Sequence, residues 1–291
     1  FTTISHLFTI LYQKILKSKG FSANNKKNRI FILILPIKQI LKLCTVFIII
    51  MINIENESSL HNTLKIYYAT QTKGKTEVHA DGHIYDIVSE AGEIIEIQTT
   101  NLSSLYNKLQ DILSKNKKIT LVHPIPIKKH ICLFAPDRTL ISKRASSKKN
   151  HLYDIFSELT KIYPFLLNPN FTLKILEVSI IEERIKTEEL VQSKNKKRRF
   201  RKNWNKINKR LEEIFSEHTF KTGEDYINLL PALPQEFSST DLKNALSKEK
   251  VPARICNNST LILWVLSKME LITLKKTEKR LRYYSINKEK L

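Results

Sequence analysis

The sequence predicts an α/β fold, in which a mixed sheet is flanked by helices and a small C-terminal module of helices and a hairpin follows. Two observations predict it. Segments with helical spacing of apolar residues alternate with strand-like runs as far as residue 185, and two helices and a hairpin end the chain. With 291 residues, 42% of them hydrophobic, the chain has material for one or two packed domains. A wholly disordered or fibrous protein is therefore excluded.

Local patterns predict each element of the α/β part. Leu60 and Leu64 share one helical face, and turn signals at Asp81-Gly82 and Ala91-Gly92 separate three antiparallel strands. Pro124 and Pro126 are expected to stop the next strand, because proline cannot donate a ladder hydrogen bond. In chain order the prediction is a helix at 55–69, strands at 76–80, 83–89 and 93–99, a helix at 101–116, strands at 117–125 and 130–135, a helix at 152–163 and a long strand at 171–184.

The remaining residues predict a connector and a second module. We expect the basic segment 186–221 to be an exposed or helical connector, which separates a domain at 51–185 from one at 222–291. Helices at 239–247 and 253–268, followed by a basic hairpin within 272–286, have the order of a winged helix-turn-helix module.

The first fifty residues differ from the rest in composition. They contain eight Lys or Arg and no acidic residue, and the first Met is Met51. We expect residues 1–50 to be a mistranslated upstream segment. The alternatives are an organelle transit peptide and a membrane anchor at residues 30–52, although Pro36 and Lys38 interrupt the apolar run of the latter.

Composition also excludes several classes of site. Only five glycines occur, and neither a G-x-G-x-x-G nor a G-x-x-x-x-G-K-[ST] motif is present, so no glycine-loop nucleotide site or other small-molecule cofactor site is expected. Cys44, Cys132 and Cys256 are too far apart in the sequence to indicate a disulfide framework or a zinc quartet. This cysteine usage fits a reducing compartment, and we expect a cytoplasmic protein.

Charge predicts the partner. The net charge is +21, from 49 Lys and Arg against 28 Asp and Glu, and residues 194–210 alone carry ten basic side chains with Phe200 and Trp204 between them. Lys and Arg neutralise phosphates and aromatic rings stack on bases, so DNA is the expected partner. A membrane is a partner only if residues 30–52 form an anchor, and a homodimer is compatible with the sequence. The predicted DNA contacts are Lys197, Arg198, Arg199, Arg201, Lys202, Lys275, Lys276 and Arg280.

Carboxylates on the second and third strands predict a metal site. Glu96 and Gln98 project from the same face of their strand, and Asp86 lies opposite Glu96 if the two strands pair around Ala91-Gly92. Two adjacent carboxylates repel each other unless a cation lies between them. Oxygen ligands favour a hard divalent ion, so Mg²⁺, or alternatively Mn²⁺, is the expected cofactor.

The same residues are similar to the core of a known nuclease superfamily. Asp86, followed by Glu96-Ile97-Gln98 on a hairpin strand and preceded by a helix with Glu57, resembles the core of the PD-(D/E)XK (restriction-endonuclease-like) nuclease superfamily. A narrower resemblance, from about residue 55 to the C-terminus, is to an uncharacterised bacterial family with this nuclease-like core and a C-terminal winged-helix-like domain. The segments that carry it include Leu60-His61, Leu64-Lys65, Tyr85-Asp86, Ile95-Glu96-Ile97-Gln98-Thr99, Val122-His123-Pro124-Ile125 and Lys143-Arg144-Ala145-Ser146-Ser147-Lys148.

The resemblance implies a metal-dependent DNA endonuclease that hydrolyses phosphodiester bonds. Asp86, Glu96 and the Ile97 carbonyl would bind the ion, Gln98 would position the water, and Glu57 would complete the catalytic set. Gln98 stands where the superfamily usually has lysine, so a displaced cation from Lys65, His123, Lys143 or Arg144 would have to supply the charge. The alternative is a catalytically inactive nuclease-fold protein that binds DNA or has a regulatory role.

Overall fold

A seven-stranded mixed sheet forms the body of the protein in the computed structural model, which describes residues 60–193, 196 and 199–291. The strand order is β1-β2-β3-β4-β6-β7, and β5 pairs with β4. Pairing is parallel for β3 with β4 and for β4 with β6, and antiparallel elsewhere. The strands are β1 Lys75–Ala80, β2 His83–Val88, β3 Ile94–Ile97, β4 Ile119–Phe134, β5 Leu140–Ala145, β6 Phe171–Val191 and β7 Lys202–Phe220.

Helices flank this sheet, so the predicted α/β class with a mixed sheet is confirmed. The helix α1 packs on β1, β2, β3 and β7, while α2 and α3 enclose a core with alternate residues of β4 and β6. In that core Leu121 and Leu173 are inaccessible to solvent. The α-helices of this part are α1 Leu60–Thr72, α2 Tyr106–Ser114 and α3 Ile155–Ile162.

The C-terminal part carries a second, three-stranded sheet with the order β8-β10-β9. Its strands are β8 Phe237–Ser238, β9 Ile272–Glu278 and β10 Leu281–Ile286, and its helices are α4 Gly223–Ile227, α5 Ser239–Lys248, α6 Ala253–Cys256 and α7 Ser259–Lys268. The helix predicted at 253–268 is thus two helices. A capping box starts α5, because Ser238 and Asp241 exchange side-chain to backbone hydrogen bonds.

Both parts contribute to one hydrophobic core. Phe237, Leu242 and Leu266 belong to the same buried cluster as Leu121 and Leu173. Tyr153 donates its hydroxyl to the Leu229 carbonyl. Trp264 makes an edge contact with Tyr163 at 5.7 Å between ring centroids. The C-terminal part is therefore packed onto the α3 side of the body.

Two expectations about strands are wrong. The prolines do not stop β4, which runs through Pro124 and Pro126. The Ile119 N–H donates to Asn170 on the β6 side, whereas the Val122 carbonyl accepts from Gln98 on the β3 side. Because strand residues alternate, the missing N–H groups of both prolines point to the β3 side, beyond the last β3 partner at Val122. No ladder bond is lost there.

The second wrong expectation is the connector at 186–221. Residues to Val191 continue β6, and Lys202–Phe220 form β7, which pairs with β6 over nearly its whole length. Register shifts place an extra β7 residue opposite Glu177/Val178 and again opposite Ser179/Ile180. Such bulges break the alternation of apolar residues in the sequence, which hides the strand.

None of the helices in the described ranges has the length and apolar character needed to cross a lipid bilayer. Residues 1–50, for which we predicted a mistranslated segment or an anchor, lie outside those ranges.

The shared core predicts shared stability. Leu173→Ala on β6 and Leu266→Ala on α7 should each lower the free energy of unfolding by about 2–5 kcal/mol, because each leaves a cavity in the same core. In urea titrations followed by circular dichroism, both variants should keep a single transition. Leu274→Ala, at a side chain that is 53% exposed, should change the free energy of unfolding by less than about 0.5 kcal/mol. A separate early transition in Leu266→Ala would show that the two parts unfold independently.

Candidate active site

Asp86 and Glu96 face each other across neighbouring strands. Ile87 pairs with Ile95, so one step along the antiparallel ladder places Asp86 opposite Glu96. The Asp86 N–H donates to Glu96 Oε1 at 3.3 Å, and the Ile97 N–H donates to Asp86 Oδ2 at 2.8 Å. The hairpin therefore brings the two carboxylates together, as its turn signal predicts.

Lys108, on α2, supplies a positive charge to this pair. Its Nζ lies 2.6 Å from Glu96 Oε1 and donates to the Ile84 carbonyl, also at 2.6 Å. Glu96 is 4% exposed and the Lys108 side chain 19%, so water screens this ion pair weakly. The sequence predictions missed Lys108. The signal in the sequence was that Lys108 directly precedes Leu109 and follows Leu105 by three residues, so it borders the apolar stripe of α2. This position turns the Lys108 side chain toward the sheet.

The two carboxyl groups differ in acidity. Burial raises the pKa of Glu96, and the bond from Lys108 opposes that rise only in part. Burial also acts to raise the pKa of Asp86, but the contact with His61 and the Ile97 N–H outweigh it, so the pKa of Asp86 is lowered. Asp86 is thus the more acidic member of the pair.

His61, which is not among the cations proposed as replacements for a lysine at position 98, is part of the site: from the start of α1 its Nε2 lies 3.3 Å from Asp86 Oδ2. The proposed cations lie in different places. Lys65 instead donates to Glu77 at 2.7 Å. Lys143 and Arg144 lie on β5, which is exposed along its whole length and pairs with the distal half of β4.

Gln98 and His123 support the end of β3. The Gln98 Nε2 donates to Ser104 Oγ at 2.8 Å and to the Asn101 carbonyl at 3.2 Å, at the short helical turn before α2. His123 donates from Nδ1 to the Gln98 carbonyl at 2.6 Å. Burial lowers the pKa of His123, which keeps the ring neutral. The amide nitrogen of Gln98 is therefore engaged by the protein, and its predicted role toward water stays a prediction.

The donor atoms fit a hard divalent ion. Within the described ranges, no hydrogen bond uses Asp86 Oδ1 or Glu96 Oε2, so each carboxylate has an oxygen to spare. The Ile97 N–H points to Asp86, and its carbonyl lies on the same side of the strand. Two carboxylates and one carbonyl are the ligand types that Mg²⁺ takes. In that part of the chain no three His, Cys, Asp or Glu side chains cluster as a ready-made metal site. Glu57 lies outside it.

The predicted DNA contacts lie at two separate places. Arg199, Arg201 and Lys202 lie at the tip of the β6–β7 hairpin, whereas Lys197 and Arg198 fall outside the described residues. Phe200 at this tip is 62% exposed, with the Arg199 guanidinium 5.1 Å from its ring centre.

The other predicted contacts belong to the β9–β10 hairpin. Lys275 and Arg280 are exposed there. Lys276 is paired with Glu278 at 3.0 Å and Glu236 at 3.5 Å, so its charge is already balanced within the protein.

Comparison with known proteins shows the family. Residues 58–221, more than half of the chain, match the domain of unknown function DUF8091. The chain belongs to this family. The matched range covers the whole main sheet and both candidate carboxylates, so these lie in the DUF8091 domain of this chain and not in the C-terminal part.

A curated relative extends the comparison. An uncharacterized protein from Treponema pallidum (strain Nichols) is 30% identical over 193 residues, which are 66% of this chain and 73% of the relative. An uncharacterised bacterial family is thus what the chain is similar to. No solved structure matches it.

The buried ion pair predicts a pH-dependent stability. In Lys108→Met the Glu96 carboxylate loses its cation, so the free energy of unfolding should fall by about 3–5 kcal/mol at pH 8. The pKa of Glu96 should rise further in the folded variant. The unfolded chain then loses the Glu96 proton at a lower pH than the folded variant does. The free energy of unfolding should therefore decline as pH rises above 4.5, the ordinary pKa of a glutamate. Urea unfolding at pH 5 and pH 8 measures the difference.

The matched control is Lys115→Met, which removes an exposed i,i+4 partner of Asp111 at the C-terminal cap of α2. It should unfold like the wild type at both pH values. If Lys108→Met lowers the free energy of unfolding equally at pH 5 and pH 8, Lys108 does not stabilise the protein by compensating the charge of Glu96.

Proposed function

We propose that the protein is a Mg²⁺-dependent DNA endonuclease that hydrolyses phosphodiester bonds. The observation that carries this proposal is the opposition of Asp86 and Glu96 on adjacent strands, with the Lys108 ammonium 2.6 Å from Glu96. Two carboxylates that can hold a divalent ion, with a lysine beside them, suit metal-assisted hydrolysis of a phosphodiester. The sheet and hairpin order also supports a restriction-endonuclease-like core, which remains part of the proposal.

Each side chain has a distinct role in this proposal. Asp86, Glu96 and the Ile97 carbonyl would hold the ion, which when bound would polarise the phosphate and lower the pKa of a water. Lys108 would offset the charge that develops on the phosphate, the contribution that Gln98 cannot make. Gln98 would keep the end of β3 in place through Ser104 and Asn101.

The C-terminal part supports DNA binding in this proposal. A short strand, helices and a hairpin, with the strand order β8-β10-β9, follow the order of a winged helix-turn-helix module. Lys275 and Arg280 on its hairpin, together with the β6–β7 tip, would contact DNA phosphates.

A second candidate is a nuclease-fold protein that binds DNA without cutting it. The observation that favours it is that Lys108 already balances Glu96, so the carboxylate pair does not need a metal ion for its charge. In that case Lys108 has taken the place of the ion.

Plasmid nicking separates the two candidates. The full chain, incubated with supercoiled plasmid and Mg²⁺ or Mn²⁺, should nick DNA, whereas Asp86→Asn and Glu96→Gln should not. Lys108→Met should slow nicking roughly 10²-fold, the usual cost of one group that stabilises transition-state charge. Glu90→Gln, at an exposed residue of the same hairpin, is the control and should nick normally. Nicking that persists in Glu96→Gln would refute the assigned site, and DNA binding without nicking would favour the second candidate.

Salt titration tests the hairpin tip as a DNA surface. Fluorescence anisotropy with a labelled duplex should give an affinity that falls with salt, because binding to phosphates releases counterions. The triple change Arg199→Gln, Arg201→Gln and Lys202→Gln should make the slope of log K against log salt shallower. The expected reduction is about 0.9 for each phosphate that the variant no longer neutralises.

The control removes the same charge outside both proposed DNA surfaces, at the exposed Lys75, Lys118 and Lys161, each changed to Gln. It should keep the wild-type slope. Equal effects of the two triple variants would indicate that only net charge matters and that the tip is not a specific surface.

A further inference from the structure

A polar cavity of about 390 Å³ opens beside the candidate active site. Its wall begins at Thr99 and Thr100, directly after Gln98, and includes His123, which holds the Gln98 carbonyl. The rest is formed by β4, the start of α3, β6, β7 and Arg254 of α6. The volume is within the range of about 300–1,000 Å³ for ligand sites, and far above the roughly 30 Å³ of one water.

Cations outnumber anions around this cavity. The cationic side chains of its lining are Lys129, Lys148, Lys206, Lys209 and Arg254, and the anionic ones are Asp154, Glu158 and Glu182. Two of the three anions are already engaged: Arg254 forms an ion pair with Asp154, and Glu158 accepts the Leu102 N–H at 3.0 Å.

The third anion, Glu182, is saturated. Arg184, Lys206 and Lys129 lie at 2.5, 3.1 and 3.5 Å from its oxygens. Burial opposes its ionisation, but these cations hold the pKa of Glu182 at about 2. One charged carboxylate thus forms ion pairs with three cations, and its charge reaches Lys209 only from beyond ion-pair distance.

Within the part of the chain that the structure describes, two cations of the cavity lining, Lys148 and Lys209, form no ion pair. Lys148 is exposed to solvent, whereas Lys209 lies half-buried on β7 in the cavity wall. Burial, and next the charge of Lys206, lower its pKa. A partly buried ammonium without a counter-ion is costly, so an anion in the cavity would relieve that cost.

We propose that this cavity binds a phosphate group, with Lys209 as its main contact and Lys206 and Lys129 beside it. Lysine binds phosphate as a point charge, and a doubly charged anion suits a surplus of more than one cation. The phosphate can come from the end of a nucleic-acid strand or from a small phosphorylated molecule. The first source rests on the function proposed above. It would hold the terminal phosphate of a strand near Asp86 and Glu96, for example of a strand that the proposed endonuclease has just cut.

Binding to the full chain in EDTA tests this independently of hydrolysis. Isothermal titration should detect inorganic phosphate, and Lys209→Gln should weaken its binding at least about tenfold, as expected for one charge-assisted hydrogen bond. Ser157→Glu, at an exposed residue of the cavity wall, adds a repelling charge without touching the core and should abolish binding. Lys243→Gln is the matched control and should bind like the wild type.

Labelled oligonucleotides then identify the source. Anisotropy is measured for strands with a 5′-phosphate, a 3′-phosphate or neither. Tighter binding of one phosphorylated strand, abolished in Lys209→Gln and Ser157→Glu, would assign the terminal phosphate of a nucleic acid. Binding of inorganic phosphate without any preference among strands would assign a small phosphorylated molecule. Wild-type behaviour of both variants, or no binding of phosphate by the wild type, would overturn the proposal. None of these results depends on whether the protein nicks plasmid.

Discussion

The burial of Glu96 beside Asp86 is the constraint on which the site depends. A carboxylate that is 4% exposed and faces a second carboxylate must be either protonated or paired with a cation. Lys108 meets this requirement from α2 and at the same time binds the Ile84 carbonyl on β2. One ammonium group thus links a helix to two strands, and His61 links α1 to the same carboxylate pair. Lys108 therefore both holds α2 on the sheet and balances the charge of the site.

This arrangement explains why a neutral residue suits position 98. The Gln98 amide donates to Ser104 and to the Asn101 carbonyl, and so fastens the turn from which α2 starts. The positive charge on the helix and the amide on the strand are therefore complementary: Gln98 holds the turn that carries Lys108 to Glu96.

Most elements of the sheet, including the long strand β6 as far as residue 184, could be predicted from local pattern, but β7 and the continuity of β4 could not. The turns at Asp81-Gly82 and Ala91-Gly92 define the first hairpins, and the register that opposes Asp86 to Glu96 follows from the second. By contrast, β7 could not be predicted because its bulges interrupt the alternation that marks a strand. Pro124 wrongly indicates a stop because the length of β3, which decides whether the proline N–H is needed, is a tertiary fact. Lys108 escapes prediction for a similar reason, since its role depends on where α2 lies on the sheet.

The shared core changes what the C-terminal part contributes. Arg254 on α6 pairs with Asp154 and donates to the Lys149 carbonyl, and Asp154 in turn accepts the His151 N–H at the start of the turn before α3. This part therefore fixes the loop that forms one wall of the polar cavity of about 390 Å³. A module tethered by a flexible connector could not hold such a wall, because its own motion would move Arg254 away from Asp154. Packing through Leu266 and Trp264 removes that freedom. The cavity is thus built almost wholly by the DUF8091 domain, and the C-terminal part completes its wall through Arg254.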